Sequence, residues 1–248
     1  MAIVVASGKG GVGKTSVVAG VSSCLAALGN RVLCIDADFG LRNLDIVLGL
    51  SDRTVLDLED VLNGSVSLEE AVVEHEEIPG LFLLNAPLSA GGMPVSGEPF
   101  AALIKEAEER YDYILVDCAA GLGNSLRMAA GACEYGIVVS TTDLTSLRDA
   151  ARTGELMLGL GVRELRLVVN RVRRRLIDTE GAPNIDDAID ATGIRLIGIV
   201  PEDENVMIYA NRSRPIILHT YSGAARAYLN ISKRITGEKV PVMKIKYR

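Results

Sequence analysis

No uninterrupted apolar run in this 248-residue chain approaches the roughly 20 residues that a membrane-crossing helix requires, although 48% of its residues are apolar. The expectation is a soluble chain that keeps some greasy surface. The opening "MAIVVASGKG" lacks a basic stretch, an apolar core and a small-residue cleavage site, so it does not read as a secretory leader and the cytoplasm is the expected compartment. Cysteine is scarce: Cys24, Cys34, Cys118 and Cys133 are widely spaced with no C-x-x-C pair, which argues against a zinc site and suits small core residues in a reducing cell interior. The two histidines, His75 and His219, have no metal-ligand spacing. Basic charge is in deficit, with 26 Lys and Arg against 32 Asp and Glu, so a broad nucleic-acid-binding face does not fit the composition. No linker, internal repeat or low-complexity tract divides the chain, and its length suits one large domain.

What is present is a succession of short β-rich apolar runs with helical stretches between them. The runs are "AIVVAS", "RVLCID", "LFLLNA", "YDYILVD", "GIVVSTT", "LRLVVN", "RLIGIV" and a weaker "PIIL". They are apolar at consecutive positions, the mark of strands buried on both faces of a parallel sheet. After the first run, Val17, Val21, Leu25 and Leu28 fall at helical spacing and Gly29 marks a stop; a last helix is expected near Ser222–Arg234, with Ala224, Ala227, Tyr228, Ile231 and Ile235 as its stripe and Gly237 ending it. Strand and helix alternation of this kind predicts a three-layer, doubly wound α/β fold with a mostly parallel sheet. One connection, Asn85 to Pro99, is rich in Gly, Pro and Ser and without periodicity, as functional or mobile loops often are.

Between the first run and the first helix lies G-K-G-G-V-G-K-T, Gly8 to Thr15, which satisfies G-x-x-x-x-G-K-[ST] in the strand-before, helix-after setting that the pattern requires. Gly8, Gly10, Gly11 and Gly13 are expected to allow backbone angles closed to other residues, so that successive N–H groups turn inward on phosphate oxygens, aided by the helix N-terminus. Val12 and Ser16 complete the loop. Lys14 is expected to reach the β and γ phosphates, and the Thr15 hydroxyl to ligate Mg²⁺. Asp117, closing the "YILVD" run, is placed to hold that metal through its water shell. Asp36 and Asp38 leave a strand together, and one of them suits a turn cap. Lys9 is not required by the general pattern; in an arbitrary loop it would point into water.

The stretch "KGGVGKT" resembles the deviant Walker A motif of the MinD/ParA family of P-loop ATPases. In that family the extra lysine reaches across a nucleotide-sandwich dimer to phosphates bound by the other subunit, so the resemblance makes Lys9 catalytic in trans, beside Lys14 in its own site. "DADFGLRNLDIVLGL" is similar to the family's switch I and places Asp38 where the attacking water is oriented; with Thr15 and Asp117 it completes the implied metal set. "YDYILVDCAAGLG" resembles switch II, but with Ala119 where a proline is usual and Gly123 where an acid is usual. "LRLVVNRVRRRL" puts Asn170, followed by Arg171, where the adenine edge is read, and "GIVPEDENVMIYANRSRPIIL" puts Pro201, Glu202 and Asp203 beside the base. The likeness runs from about Ala2 to Met243.

The resemblance implies an ATP- and Mg²⁺-dependent enzyme, dimerising on ATP, that positions cell division by recruiting an inhibitor of the MinC kind to the inner membrane surface, with an activator of the MinE or DivIVA-linked kind. On this reading residues 1–237 form the ATPase domain and 238–248 a short basic tail. That tail, "GEKVPVMKIKYR", is interrupted by Pro241, and Lys239, Lys244, Lys246 and Arg248 are its candidate contacts with anionic lipid. A solvated terminus is the competing reading. The rival functions are positioning ATPases for flagella, plasmids or chromosomes, for which "RVRRR" at Arg171 to Arg175 is the only candidate DNA-contact run, and a metal or iron–sulfur carrier, for which Cys118 beside switch II and Cys133 lack a recognisable ligand spacing. A scaffold that binds ATP without hydrolysing it is not favoured, because Lys9, Lys14, Thr15, Asp38 and Asp117 are all in place.

Overall fold

The computed structural model describes residues 1–39, 41–53, 55–87, 97–179 and 181–243. Most of the Asn85–Pro99 connection and the tail residues Lys244, Lys246 and Arg248 lie outside the described residues. Eight strands form one sheet: β1 (Ala2–Ala6), β2 (Val32–Ala37), β3 (Val73–Glu74), β4 (Leu81–Leu84), β5 (Tyr113–Cys118), β6 (Tyr135–Ser140), β7 (Glu164–Val172) and β8 (Leu196–Pro201). Their spatial order is β3-β4-β2-β5-β1-β6-β7-β8, and the described pairings are parallel except for the two-residue β3, which runs antiparallel to β4. The helices are α1 (Lys14–Ala27), α2 (Leu44–Leu48), α3 (Leu58–Leu62), α4 (Leu68–Ala71), α5 (Gly97–Glu108), α6 (Asn124–Ala132), α7 (Leu144–Gly159), α8 (Arg174–Asp178), α9 (Ile185–Thr192), α10 (Glu204–Ala210) and α11 (Gly223–Ile235).

Consecutive apolar residues form the strands for the expected reason. In β1, Ala2, Val4 and Ala6 enter the core beneath α5, α6 and α7, while Ile3 and Val5 enter the opposite core beneath α1 and α11. The parallel, two-sided sheet is therefore the expected fold class. Two readings change. "PIIL" is not a strand: Pro215 has no N–H to give a ladder, Leu218 N–H turns back to its carbonyl (3.2 Å), and Ile216–Leu218 form one 3-10 turn. β3 escaped the sequence reading because two residues carry no period.

The first helix differs in degree. Val17, Val21 and Leu25 are buried as expected, but Leu28 caps the C-terminus and is 37% exposed, with Gly29 following at φ 92°. α1 is also buried well beyond a single stripe, because α11 lies across its outer side: Ser232 Oγ donates to the Val21 carbonyl (2.9 Å) and the Tyr228 ring seats on Gly20. A Cβ on Gly20 would stand 2.2 Å from that ring. Gly20→Ala is therefore expected to lower stability by about 1–3 kcal/mol through overpacking. Urea unfolding checks this: the midpoint falls with an unchanged slope, whereas a midpoint equal to that of the wild type would mean that α11 yields without cost.

Candidate nucleotide site

β1 has β5 on one side and β6 on the other, so the strand order reverses around it and a crevice opens at the carboxyl ends. The glycine loop leaves β1 there and runs into α1. Only Gly11 (φ 80°) and Gly13 (φ 86°) use the left-handed region, which corrects the expectation that all four glycines serve by backbone angle. Gly8 is needed for a different reason: a Cβ would stand 2.5 Å from the Asp149 carbonyl oxygen of α7. Gly10 meets neither constraint. Gly13 is doubly restricted, since its Cβ would stand 2.4 Å from Asn170 Nδ2. Asn170 is buried at the end of β7 and donates to the Val12 carbonyl (2.7 Å), bracing the loop from behind. No side chain caps the start of α1 and no acid lies in its first turn, where Thr15 and Ser16 are half-buried, so the amide end of the helix is open to an anion.

Lys14 is buried and forms an ion pair with Asp117 at the end of β5, itself 1% exposed. Asp36 lies opposite Asp117 in the β2–β5 register and is fully buried. It is the cap that the sequence suggested: its carboxylate accepts the N–H of Asp38 (2.9 Å) and of Leu44 (3.2 Å), closing the turn between β2 and α2. Burial, and then the negative charge of Asp117, push Asp36 up to about 7. Asp38 is half-buried beside them; burial raises it while Lys14 works in the other direction. Three carboxylates against one ammonium leave this crevice short of positive charge, and with the Thr15 hydroxyl they offer hard oxygen donors, which fits Mg²⁺. Among the described residues no three His, Cys, Asp or Glu side chains converge into a ready-made metal cage. A Mg²⁺ site completed by phosphate oxygens and water has no need of one.

Lys9 lies elsewhere. Its side chain is half exposed, 3.3 Å from Thr145 Oγ1 and 3.6 Å from Asp143 Oδ1 at the start of α7. Asp143 is the N-cap of that helix, accepting from Ser146 N–H (3.0 Å) and Thr145 Oγ1 (2.6 Å). Burial works to raise its carboxyl, but the hydroxyls of Thr141 and Thr145, the Ser146 amide and Lys9 together hold it down at about 2. The sequence reading missed Asp143 and Thr145 as neighbours of the site, although "DLTS" is a legible N-cap signal.

The residues expected around the base divide. Arg171, at φ 54°, donates to the Gly11 carbonyl (3.0 Å) and pairs with Glu202 (3.0 Å), which also pairs with Arg173 (2.9 Å). Beside Arg171 and Glu202 opens a groove of about 810 Å³, bounded by residues 141–145 and 181–184, a size that takes a nucleoside. Pro201 ends β8. Asp203 is a correction: its carboxylate caps α10 through Asn205 N–H (3.1 Å) and accepts Ala224 N–H from α11 (3.0 Å), so it is committed to joining two helices and not to a base. The four cysteines are all buried, and burial pushes the Cys24, Cys34 and Cys118 thiols up to about 12 and Cys133 upward as well, which makes them core residues.

A strand, a phosphate-cradling loop and a helix, with a buried lysine meeting the carboxylate of the neighbouring strand, define a P-loop nucleotide-binding protein. The chain belongs to the CobQ/CobB/MinD/ParA nucleotide-binding family, whose profile matches residues 3–216. It is 38% identical over 243 residues to the septum site-determining protein MinD of Bacillus subtilis, covering 97% of this chain and 91% of that one. To the MinD of Synechocystis it is 36% identical over 242 residues, with the same shares covered. Among solved structures, a chain of the MinC:MinD cell division complex of Aquifex aeolicus superimposes with a TM-score of 0.92 at 35% identity, covering 99% of both chains. The MinD of Pyrococcus horikoshii, solved with Mg-ADP, gives 0.85 at 28% identity over 94% of this chain and 95% of that one.

The raised Asp36 carboxyl gives a pH prediction for the protein free of nucleotide and metal. Its folded value of about 7 lies above the ordinary 3.8, so the protonated form favours folding: its contribution is fullest below about pH 4 and is lost as the pH rises toward 7. The stability of the wild type relative to Asp36→Asn should therefore fall between pH 5 and pH 7.5. Urea midpoints at the two pH values measure it, and a constant difference would show that Asp36 titrates normally.

Proposed function

We propose that this chain is a Mg²⁺-dependent ATPase of the septum site-determining kind, which pairs with a second copy when ATP is bound, attaches to the inner membrane surface and recruits a division inhibitor. The observation that carries this reading is the opposite placement of two lysines in one loop. Lys14 is buried in its own site, whereas Lys9 is turned out of it onto the surface at Asp143 and Thr145. A lysine so placed is available to a second subunit's phosphates. The likeness along nearly the whole chain to proteins named MinD, and to one solved in a complex named MinC:MinD, supports the division branch and an inhibitor of the MinC kind as partner. An activator of the MinE or DivIVA-linked kind belongs to the same proposal.

In the cycle, the loop amides and the open end of α1 bind the phosphates. Lys14 exchanges Asp117 for a phosphate oxygen, which frees Asp117, with Thr15, to hold the metal's oxygen shell. The Mg²⁺ ion, when bound, neutralises charge between phosphate oxygens. Asp38, held by the Asp36 cap, orients the attacking water, and Lys9 leaves Asp143 to neutralise the charge developing in the partner's site. The switches then hold the dimer until the γ phosphate departs.

The rival readings are less well supported by the side chains. Arg171 and Arg173 of the basic run are already paired with Glu202, which leaves less charge for DNA. Cys118 and Cys133 are buried in the core and away from any cluster-bearing surface. No helix of the described residues is long and apolar enough to cross a membrane, so attachment would be peripheral.

Replacing Lys9 with Ala should leave ATP binding near that of the wild type and cut hydrolysis by about 10³-fold or more, the scale of a charge supplied in trans. Turnover within a few-fold of the wild type would remove Lys9 from the mechanism. Co-sedimentation with anionic liposomes under Mg²⁺ tests the membrane step: pelleting with ATP and not with ADP is expected. Pelleting in neither state would take the membrane surface out of the proposal.

A further inference from the structure

The two carboxylates most concerned with the metal and the water, Asp117 and Asp38, lie at the ends of neighbouring strands. β2 and β5 pair as far as Ala37 opposite Cys118. One residue beyond this last rung the strands separate, Asp38 following Ala37 and Ala119 following Cys118. The gap is bridged by one side chain. Ser125, 8% exposed in the first turn of α6, donates its hydroxyl proton to the Ala37 carbonyl (2.7 Å) and accepts the Ala119 N–H (3.1 Å). The hydroxyl is thus spent on the sheet and not on its own helix, whose N-cap is Gly123 and has no side-chain cap.

The same segment is fastened a second time, where Gly121 N–H bonds the Ser7 carbonyl at the root of the glycine loop (2.8 Å). Loop, β2 end and β5 end therefore meet on residues 119–125. The Ser125 bridge depends on Ala119 having an N–H to give; a proline at that position would leave the hydroxyl without its donor. It also depends on a hydroxyl at 125, since an alanine would leave a carbonyl and an amide facing each other with no intermediary.

We propose that Ser125 is a positioning residue, fixing the separation of Asp38 from Asp117 by bridging Ala37 and Ala119, and that Ala119 and Ser125 act as one unit in setting turnover. This rests on the ATPase reading above. Since the bridge touches neither the loop amides nor Lys14, its loss should misplace the water and metal ligands while leaving nucleotide binding intact.

The test is steady-state Mg²⁺-ATPase kinetics and thermal melting for the wild type, Ser125→Ala, Ala119→Pro, the double variant and Ser125→Thr. Ser125→Ala and Ala119→Pro should each lower kcat about ten-fold with KM for ATP within about two-fold of the wild type. The double variant should be no slower than the slower single one, because both remove the same bridge. Ser125→Thr, which keeps the hydroxyl, should restore turnover. Wild-type kcat in both single variants, losses that multiply in the double, or a loss confined to KM would each overturn the proposal. If Ser125→Ala does not fold, Ala119→Pro and Ser125→Thr decide it by the same criteria. A wild type without Mg²⁺-dependent hydrolysis would instead sink the ATPase reading, whereas an active wild type with unaffected variants would sink only the role of Ser125.

Discussion

A lysine with 6% of its side chain exposed is tolerable in a folded protein only where it meets a counter-charge, and in this molecule Lys14 meets Asp117. Breaking such a pair by removing one partner typically costs about 3–5 kcal/mol, because the other charge is left buried alone. The pair exists because β1 and β5 are adjacent and parallel, with the glycine loop leaving one strand and the acid closing the other. It fixes where the loop closes. It is also an interaction that a phosphate can replace without leaving the ammonium unpaired, so the contact that holds the empty site together is the one that binding exchanges.

Around that pair the crevice is organised by backbone-to-carboxylate bonds. Asp36 contributes little as a free acid; it gathers the Asp38 and Leu44 amides and so shapes the turn that carries Asp38. Asn170 braces the loop through Val12, and Gly8 lets α7 approach closely enough for Asp143 and Thr145 to receive Lys9. The site is thus assembled from the ends of β1, β2, β5 and β7 and the start of α7. Few of its contacts are local in sequence.

The opposite environments of Lys9 and Lys14 give the family membership a physical content. Two identical side chains five residues apart have become a buried partner of Asp117 and an exposed partner of Asp143. The exposed pair is weak and screened by solvent, as surface ion pairs are. Lys9 therefore gives up little on moving to another partner, which suits a group used only when a second subunit arrives.

Much of the fold and part of the site were legible in the sequence. Runs of consecutive apolar residues declared a sheet buried on both faces, and the glycine–lysine spacing between strand and helix declared a phosphate loop, because both follow from local steric and hydrogen-bonding needs. The two-residue β3 and the 3-10 turn at Ile216–Leu218 did not follow, since one has no period and the other copies a strand's composition while Pro215 denies it a ladder. By itself the sequence determined the elements, the loop and the candidate acids. Only the tertiary structure decided that Asp36 is a cap and Asp203 a joint between helices, that Gly8 and Gly13 serve for different reasons, and that Ser125 bridges the strands bearing Asp38 and Asp117. The physical reason is the same in each case: these roles belong to contacts between residues from 2 to 158 positions apart, made where parallel strands end together.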